Sequence, residues 1–547
     1  MREALDVEAE GLTPDELIRV LLRAPVDLLW NAGVGTFVKA HSESNADVGD
    51  KANDDVRING AELRCRVVGE VSDLGFTHKG RIEYARAGGR LNTDAIDSVA
   101  GVNFSDHEVN LKILLDAAVA DGEITISRRN ELLAALMDAV AKHVLDESYA
   151  QALALGLECG QASGLLDLHA QLIDNLDRRG QLDRELGELP RAEDIRERKA
   201  ANEGLTGPEL AALLAHAKIS LHTDLLESDL PDDEYLGSKV LDSLMGSLRE
   251  RFRLHMRHHP LRREIIATDL ANSIVDYAGT TFVSRLAEET GVDTAHIARA
   301  YAVAGAIFEM NGFWREVRTL DDVVDEKTQF KMLLQGRRLV TRAARWLVRE
   351  RRPPLDIGAA ISDYAPGAAT LSEVLPELRS DLDGDAWHAR VAEFANAGVP
   401  GALASRVAAL DALFFAFDVV EIVRGTEEPV RRAADIHFGL DRRLRLAWLR
   451  NRILGLPRAN RWQTLARAAL RDDLYKTHRA LTAAVLEASS ASIERDAAID
   501  EWLAAGAARV ERFLQTLADI RAAPGNDFTT LLVAVRELDN LIPSSSD

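Results

Sequence analysis

Apolar residues near the N-terminus fall in short blocks that end at polar or glycine-containing turns. Residues 26–30 are apolar except for one aspartate and run into the loop 31–35, whose sequence is Asn-Ala-Gly-Val-Gly. Residues 63–69 form a second, less uniform block that runs into the loop 70–73, whose sequence is Glu-Val-Ser-Asp. Such blocks are typical of buried strands. We therefore predict two strands of a parallel α/β sheet, with a ligand crevice at their carboxyl ends.

Helix starts are indicated by Ser or Thr followed three residues later by Glu. Thr13 and Glu16 show this capping pattern, with Pro14 at the first helical position. Ser105 and Glu108 repeat it, which predicts a helix that begins near Ser105.

From about residue 120 onward the strand signals stop and helical periodicity takes over. One apolar face follows the cap at Thr206 and is formed by Leu210, Leu213, Leu214, Ala217 and Leu221. We expect residues 121–200 to be a helical segment that packs back on the first region. Residues 201–547 should form a large all-α region, with a further boundary near residues 351–367.

Composition favours a folded protein of several domains. The 547 residues are 47% hydrophobic, which is enough to bury substantial cores. A formal net charge of −22 repels polyanions, so neither nucleic acid nor membrane is an expected partner. Two cysteines are too few for a disulfide framework, and a reducing cytoplasm is the expected location.

Two groups of basic residues have alternative interpretations. Three histidines lie among arginines in residues 251–264: His255, His258 and His259. A solvated helix end is favoured there over a metal site, and no metal is expected. Four arginines recur at helical spacing: Arg338, Arg342, Arg345 and Arg349. A solvated or ion-paired face is favoured there over polyanion binding.

Long motifs resemble those of the large bacterial NAD-specific glutamate dehydrogenases. They are Leu-Leu-Trp-Asn-Ala-Gly-Val-Gly-Thr-Phe-Val-Lys at residues 28–39, Gly-Gly-Arg-Leu-Asn-Thr-Asp at 88–94 and Ser-Asp-His-Glu-Val-Asn at 105–110. The resemblance continues at residues 205–210, 259–268, 288–291 and 461–475, so it covers nearly the whole chain.

The resemblance implies oxidative deamination of L-glutamate to 2-oxoglutarate and ammonia, with hydride passing to NAD. Residues 1–120 would be the C-terminal half of a Rossmann-like NAD-binding domain, and the complete enzyme would be a homo-oligomer. The family's catalytic lysines, catalytic aspartate and phosphate loop would precede Met1, so this chain alone is expected to be inactive. The alternative is a non-catalytic helical interaction or regulatory module derived from that enzyme.

The resemblance also assigns site residues. The expected cofactor-binding residues are Asn31, Gly33, Gly35, Glu70, Asp73 and Ser98. The expected substrate-binding residues are Gly101, Val102 and Ser105, with Ser105 at a helix start where free N–H groups favour the glutamate side-chain carboxylate. Where the family pattern has asparagines near NAD, this chain has Asp73 and Ser98.

Overall fold

The computed structural model describes residue 5, residues 11–184, 187–238, 249–424, 428–457, 461–490 and 492–523, residue 525 and residues 527–542. The chain divides into two compact units, residues 1–299 and 300–547. The domain boundaries expected near residues 120, 200 and 351–367 stay predictions.

The described residues of the first unit contain four short strands, all before residue 71. They are β1 (Leu28–Asn31), β2 (Val38–Lys39), β3 (Ile58–Asn59) and β4 (Val67–Glu70). Strand β1 pairs in parallel with β4, in a register that runs from Leu28 opposite Val67 to Asn31 opposite Glu70. Strands β2 and β3 form a second parallel pair. The two strands predicted from the apolar blocks are confirmed, and both end within one residue of the predicted position.

Helices make up most of the first unit. They are α1 (Pro14–Leu22), α2 (Asn45–Val48), α3 (His78–Arg86), α4 (Asp94–Asp97), α5 (Val99–Ala120), α6 (Ile126–Cys159), α7 (Ala162–Arg178), α8 (Ala192–Ala201), α9 (Gly207–Leu226), α10 (Arg249–Arg257), α11 (Arg262–Ser273) and α12 (Phe282–Thr290), with a π-helical turn at Ile274–Ala278. The predicted caps at Thr13 and Thr206 are confirmed, each in a reciprocal capping box.

The prediction that a helix begins near Ser105 is wrong. Helix α5 begins at Val99, so Ser105 lies in its second turn. Ala100 and Phe104 pack against the core formed with α6, and this burial extends the helix toward its N-terminus. The Ser105 N–H group therefore falls inside the ladder of helical hydrogen bonds, where it needs no cap.

Helices α5 and α6 pack against each other along an apolar stripe. From α5 this stripe contains Leu111, Leu114, Leu115 and Ala118, and from α6 it contains Leu132, Leu133, Leu136, Val140 and Val144. Phe252 and Met256 of α10 close the same core. A separate core lies under the strands and includes Val38, Ile58, Val68, Phe76 and Tyr84.

The second unit is helical throughout its described residues. Helix α13 (Thr294–Ile307) begins in the first unit and ends in the second. It is followed by α14 (Met310–Arg318), α15 (Glu326–Glu350), α16 (Ile357–Asp383), α17 (Asp385–Ala395), α18 (Gly401–Leu413), α19 (Ala416–Val423), α20 (Val430–Arg443), α21 (Leu446–Leu454), α22 (Arg461–Ala488), α23 (Arg495–Ala505), α24 (Ala507–Ala522) and α25 (Phe528–Asp539). The predicted helical C-terminal region is confirmed. No helix in the described ranges is both long and apolar enough to cross a membrane.

The arginine stripe on α15 is largely ion-paired, as favoured from the sequence. Arg345 binds both carboxylate oxygens of Asp472, at 2.8 and 3.1 Å. Arg349 contacts the same carboxylate, and Arg342 pairs with Asp411. These guanidinium groups already have carboxylate partners within the unit.

Candidate functional site

The carboxyl ends of β1 and β4 bring together the two loops expected to face a ligand. The Asn31 carbonyl oxygen accepts hydrogen bonds from the backbone N–H groups of Val71, at 2.9 Å, and Ser72, at 3.1 Å. Beyond the strands, Val34 and Asp73 form an isolated parallel bridge. Loops 31–35 and 70–73 therefore lie side by side, at the edge where parallel sheets bind ligands.

Loop 31–35 takes its shape from two glycines in the left-handed region. The φ angles are +124° at Gly33 and +113° at Gly35. A Cβ atom on Gly35 would lie 2.3 Å from Asn53 Nδ2, whereas one on Gly33 would have no neighbour within 4 Å. Val34 between them is 88% exposed. The loop thus presents accessible backbone at Gly33, and the packing at Gly35 fixes its base.

Glu70 holds the end of β4 in place. Its carboxylate binds Arg81 through two hydrogen bonds, from Nε at 2.8 Å and from Nη2 at 2.7 Å. It also accepts the Phe76 backbone N–H at 3.0 Å. The Glu70 side chain is fully buried, so it orders loop 70–73 from the protein interior. Its carboxylate is already bound and is not free to contact a ligand.

Two buried polar atoms lie at the base of the two loops. Within the described part of the chain, Asn31 Nδ2 and Ser72 Oγ have no hydrogen-bond partner. A Cβ atom on Gly75 would lie 2.1 Å from Asn31 Nδ2 and 2.3 Å from Ser72 Oγ, so a larger residue there would displace these two side chains. Unpaired buried donors are uncommon and often mark a functional position.

Helix α4 connects the loops to the start of α5. Its Asp94 carboxylate accepts the Leu74 backbone N–H at 3.0 Å and pairs with Arg81 at 3.1 Å. Ser98 Oγ donates to the Asp94 carbonyl oxygen at 2.6 Å, so this hydroxyl is engaged within the protein. Asp73 is exposed, and its carboxylate has no hydrogen bond or ion pair to the residues that the structure describes.

The expected substrate residues lie along the first two turns of α5. Gly101 and Val102 are in the first turn, and the Gly101 N–H reaches the Ser98 carbonyl oxygen at 3.3 Å. Val102 is 64% exposed, and Ser105 is exposed one turn further along. The N–H groups at the helix start therefore belong to residues around Gly101 and Val102 and not to Ser105, which offers its hydroxyl alone.

The sequence analysis did not predict the polar side chains that support loops 31–35 and 70–73. Asp97 accepts the Glu70 backbone N–H at 2.9 Å and the Asn92 amide at 3.0 Å. Arg81 and Asp94 complete this network. Except for the contact between Asn92 and Asp97, these contacts join residues distant in sequence, so no local motif indicates them.

Short parallel strands with polar loops at their carboxyl ends, joined to a long helical region, define a small α/β region with a helical extension. The family model described as "Glutamate dehydrogenase, C-terminal" matches residues 202–540, and the model described as "Bacterial NAD-glutamate dehydrogenase, catalytic domain" matches residues 1–158. The first covers more than half of the sequence. The chain belongs to the glutamate dehydrogenase family.

Relatives match along the whole chain. The NAD-specific glutamate dehydrogenase of Pseudomonas aeruginosa is 41% identical over 545 residues, which are 100% of this chain and 34% of the relative. That of Halomonas elongata is 40% identical over 547 residues, 100% of this chain and 34% of the relative. That of Mycobacterium tuberculosis is 41% identical over 543 residues, 99% of this chain and 33% of the relative. The chain thus spans about a third of the length of these relatives.

Proposed function

We propose that this chain contributes the crevice formed by loops 31–35 and 70–73 to an NAD-dependent glutamate dehydrogenase. The observation that carries the proposal is the pairing of these loops at the carboxyl ends of β1 and β4, in a segment matched by the family's catalytic-domain model. The reaction would convert L-glutamate, NAD and water to 2-oxoglutarate, ammonia and NADH. Residues 1–120 would be the C-terminal half of a Rossmann-like NAD-binding domain.

The residues of the crevice fit a dinucleotide. Gly33 leaves backbone accessible, and the unpaired Asn31 Nδ2 and Ser72 Oγ are polar groups able to bond to an amide or a ribose hydroxyl. Bound NAD would supply the hydride acceptor. This chain would position the cofactor. Gly33, Gly35 and Asp73 would contact NAD from the loops. Glu70 and Ser98 would act indirectly, because their side chains hold the neighbouring backbone in place.

Helix α5 would line the substrate side of the same crevice. The first-turn N–H groups near Gly101 and Val102 favour an anion, since they carry the positive end of the helix dipole. Ser105 would add a hydroxyl donor to the side-chain carboxylate of glutamate. This division of roles keeps the nicotinamide and carboxylate subsites on separate elements.

The helical region would serve assembly and support. We propose a homo-oligomeric enzyme in the cytoplasm, with residues 121–200 packing back on the catalytic core and residues 201–547 forming the helical C-terminal region. The alternative is a non-catalytic helical interaction or regulatory module, which the second unit, with its own buried core, favours.

A chimaera tests the proposal against this alternative. The matching third of the Pseudomonas aeruginosa relative is replaced by this chain, and glutamate-dependent NADH formation is measured for the chimaera and for this chain alone. We expect turnover by the chimaera and none by the isolated chain. A folded, oligomeric chimaera without turnover would favour the non-catalytic module.

Substitution of Ser105 locates the substrate end. In the active chimaera, Ser105→Ala should raise the KM for glutamate with little change in the KM for NAD. The matched control is Ser148→Ala on α6, where the serine hydroxyl donates to the Val144 carbonyl oxygen within the helix. Equal effects of the two substitutions would contradict a substrate contact at Ser105.

A further inference from the structure

A cluster of three potential metal ligands lies between α5 and α6, a site that the sequence did not predict. His107 Nε2 is 3.0 Å from Glu147 Oε2, and His143 Nε2 is 3.5 Å from Glu147 Oε1. The two imidazole rings meet edge to face with centroids 4.9 Å apart. One ligand atom from each residue lies within 4.8 Å of the other two. The side chains are 18 to 25% exposed, so the cluster is partly buried and still open to solvent.

The donor set and spacing are those of a transition-metal site. Two imidazole nitrogens and one carboxylate oxygen are the protein ligands of many catalytic Zn²⁺ sites, which keep a fourth position for water. Ligands about 2.1 Å from a tetrahedral ion are roughly 3.4 Å apart. The two histidine nitrogens lie 3.0 and 3.5 Å from different oxygens of Glu147, and the three ligand atoms lie within 4.8 Å of one another, so a small side-chain movement would complete the site. We propose that His107, His143 and Glu147 bind a divalent transition-metal ion, with Zn²⁺ the best fit.

Charge around the cluster favours a cation. A second carboxylate, that of Asp269 on α11, interacts electrostatically with Glu147 and with both histidines. Asn103 Nδ2 approaches Glu147 Oε2 at 3.5 Å and could orient the carboxylate. Such supporting groups are typical of protein metal sites.

The ion would connect two helices without touching the proposed substrate. His107 is two residues from Ser105, and side chains two positions apart on a helix do not face each other. His143 and Glu147 are one turn apart on α6, which places them on one face toward α5. Bound metal would therefore clamp α5 to α6 and hold the helix that carries Gly101, Val102 and Ser105.

Metal titration of the full chain tests the proposal. After treatment with a chelator, Zn²⁺ binding is followed by calorimetry, and Co²⁺ binding by visible absorption. We expect one equivalent per chain, the visible bands of four-coordinate Co²⁺, and a melting temperature several degrees higher at Zn²⁺ about 100-fold above its Kd. No saturable binding, or no rise in melting temperature at saturation, would overturn the proposal.

Variants identify the ligands. Glu147→Gln and His143→Asn should each weaken binding at least about tenfold. His258→Asn, at an exposed histidine just after α10, should leave the Kd unchanged. Unchanged affinity in both ligand variants would overturn the proposal. Should a variant fail to fold, the Co²⁺ spectrum of the unsubstituted chain still decides: intense thiolate charge-transfer bands would place the ion at Cys65 or Cys159 and contradict the assignment.

Discussion

The ion pair between Glu70 and Arg81 is the contact whose loss should disturb the crevice most. The two side chains are 0% and 6% exposed, and they share two hydrogen bonds. Glu70→Gln keeps the size of the side chain but removes its charge. One of its polar atoms would then be an amide donor facing the guanidinium donors of Arg81.

The expected cost follows from the burial of the pair. Removing one partner of a buried ion pair costs about 3–5 kcal/mol, because the other charge stays buried. Arg81 keeps a second partner, Asp94, at 3.1 Å, so we expect the lower end of this range, about 3 kcal/mol. The loss should be local to β4 and the following loop, since the Phe76 N–H also depends on Glu70.

Native-state hydrogen exchange of residues 67–86, together with urea unfolding, measures this loss. A matched control lies on the neighbouring segments, where Asp27 and Arg66 pair at 3.2 Å but are 87% and 81% exposed. Asp27→Asn should change little, because exposed ion pairs contribute little. If Glu70→Gln costs less than about 1 kcal/mol and leaves exchange unchanged, the buried pair does not organise the crevice.

Three further predictions concern single positions. In urea unfolding, Gly35→Ala should lower the free energy of unfolding more than Gly33→Ala. Both substitutions add about 1–2 kcal/mol of backbone strain, but only Gly35→Ala would place a Cβ atom 2.3 Å from a side chain. Equal losses of stability in the two variants would contradict this. Burial raises the pKa of Asp418 from 3.8 to about 7, because the charged carboxylate is unfavourable in the folded chain. The protonated form contributes to the free energy of unfolding below pH 3.8, and this contribution is lost as the pH rises to 7. The free energy of unfolding should fall by about 4 kcal/mol over this pH range, and Asp418→Asn should not show this fall. The same pH dependence of stability in Asp418→Asn and in the unsubstituted chain would refute the prediction. In the active chimaera Asp73→Asn should tighten NAD binding by about fivefold, with a benefit that shrinks at high salt, and Ser98→Asn should add to it; weaker or unchanged binding in both would show that these residues do not serve the cofactor.

Sequence patterns correctly predicted the structural features that depend on contacts between residues close together in the chain. The caps at Thr13 and Thr206 involve side chain and backbone three residues apart, so the sequence alone indicates them. Strands β2 and β3 were not predicted, since each has only two residues. Their pairing is supported by the buried Arg57, which donates to the Thr36 carbonyl oxygen at 2.9 Å.

The errors and omissions arise from packing between distant segments. A capping pattern at Ser105 is a local signal, but burial of Ala100 and Phe104 against the core with α6 starts the helix six residues earlier. The same pairing of α5 with α6 brings His107 to Glu147. Helical spacing places His143 beside Glu147, yet no sequence pattern places His107 there.

Hydrogen exchange with and without NAD tests whether loops 31–35 and 70–73 bind the cofactor. The active chimaera is compared in the absence and presence of saturating NAD, with peptides covering loops 31–35 and 70–75, the first turn of α5 and the helices of the second unit. We expect slower exchange in both loops and in the first turn of α5, and no change in the second unit. Protection confined to the helical unit, or no protection at all, would contradict the assignment of the crevice to NAD.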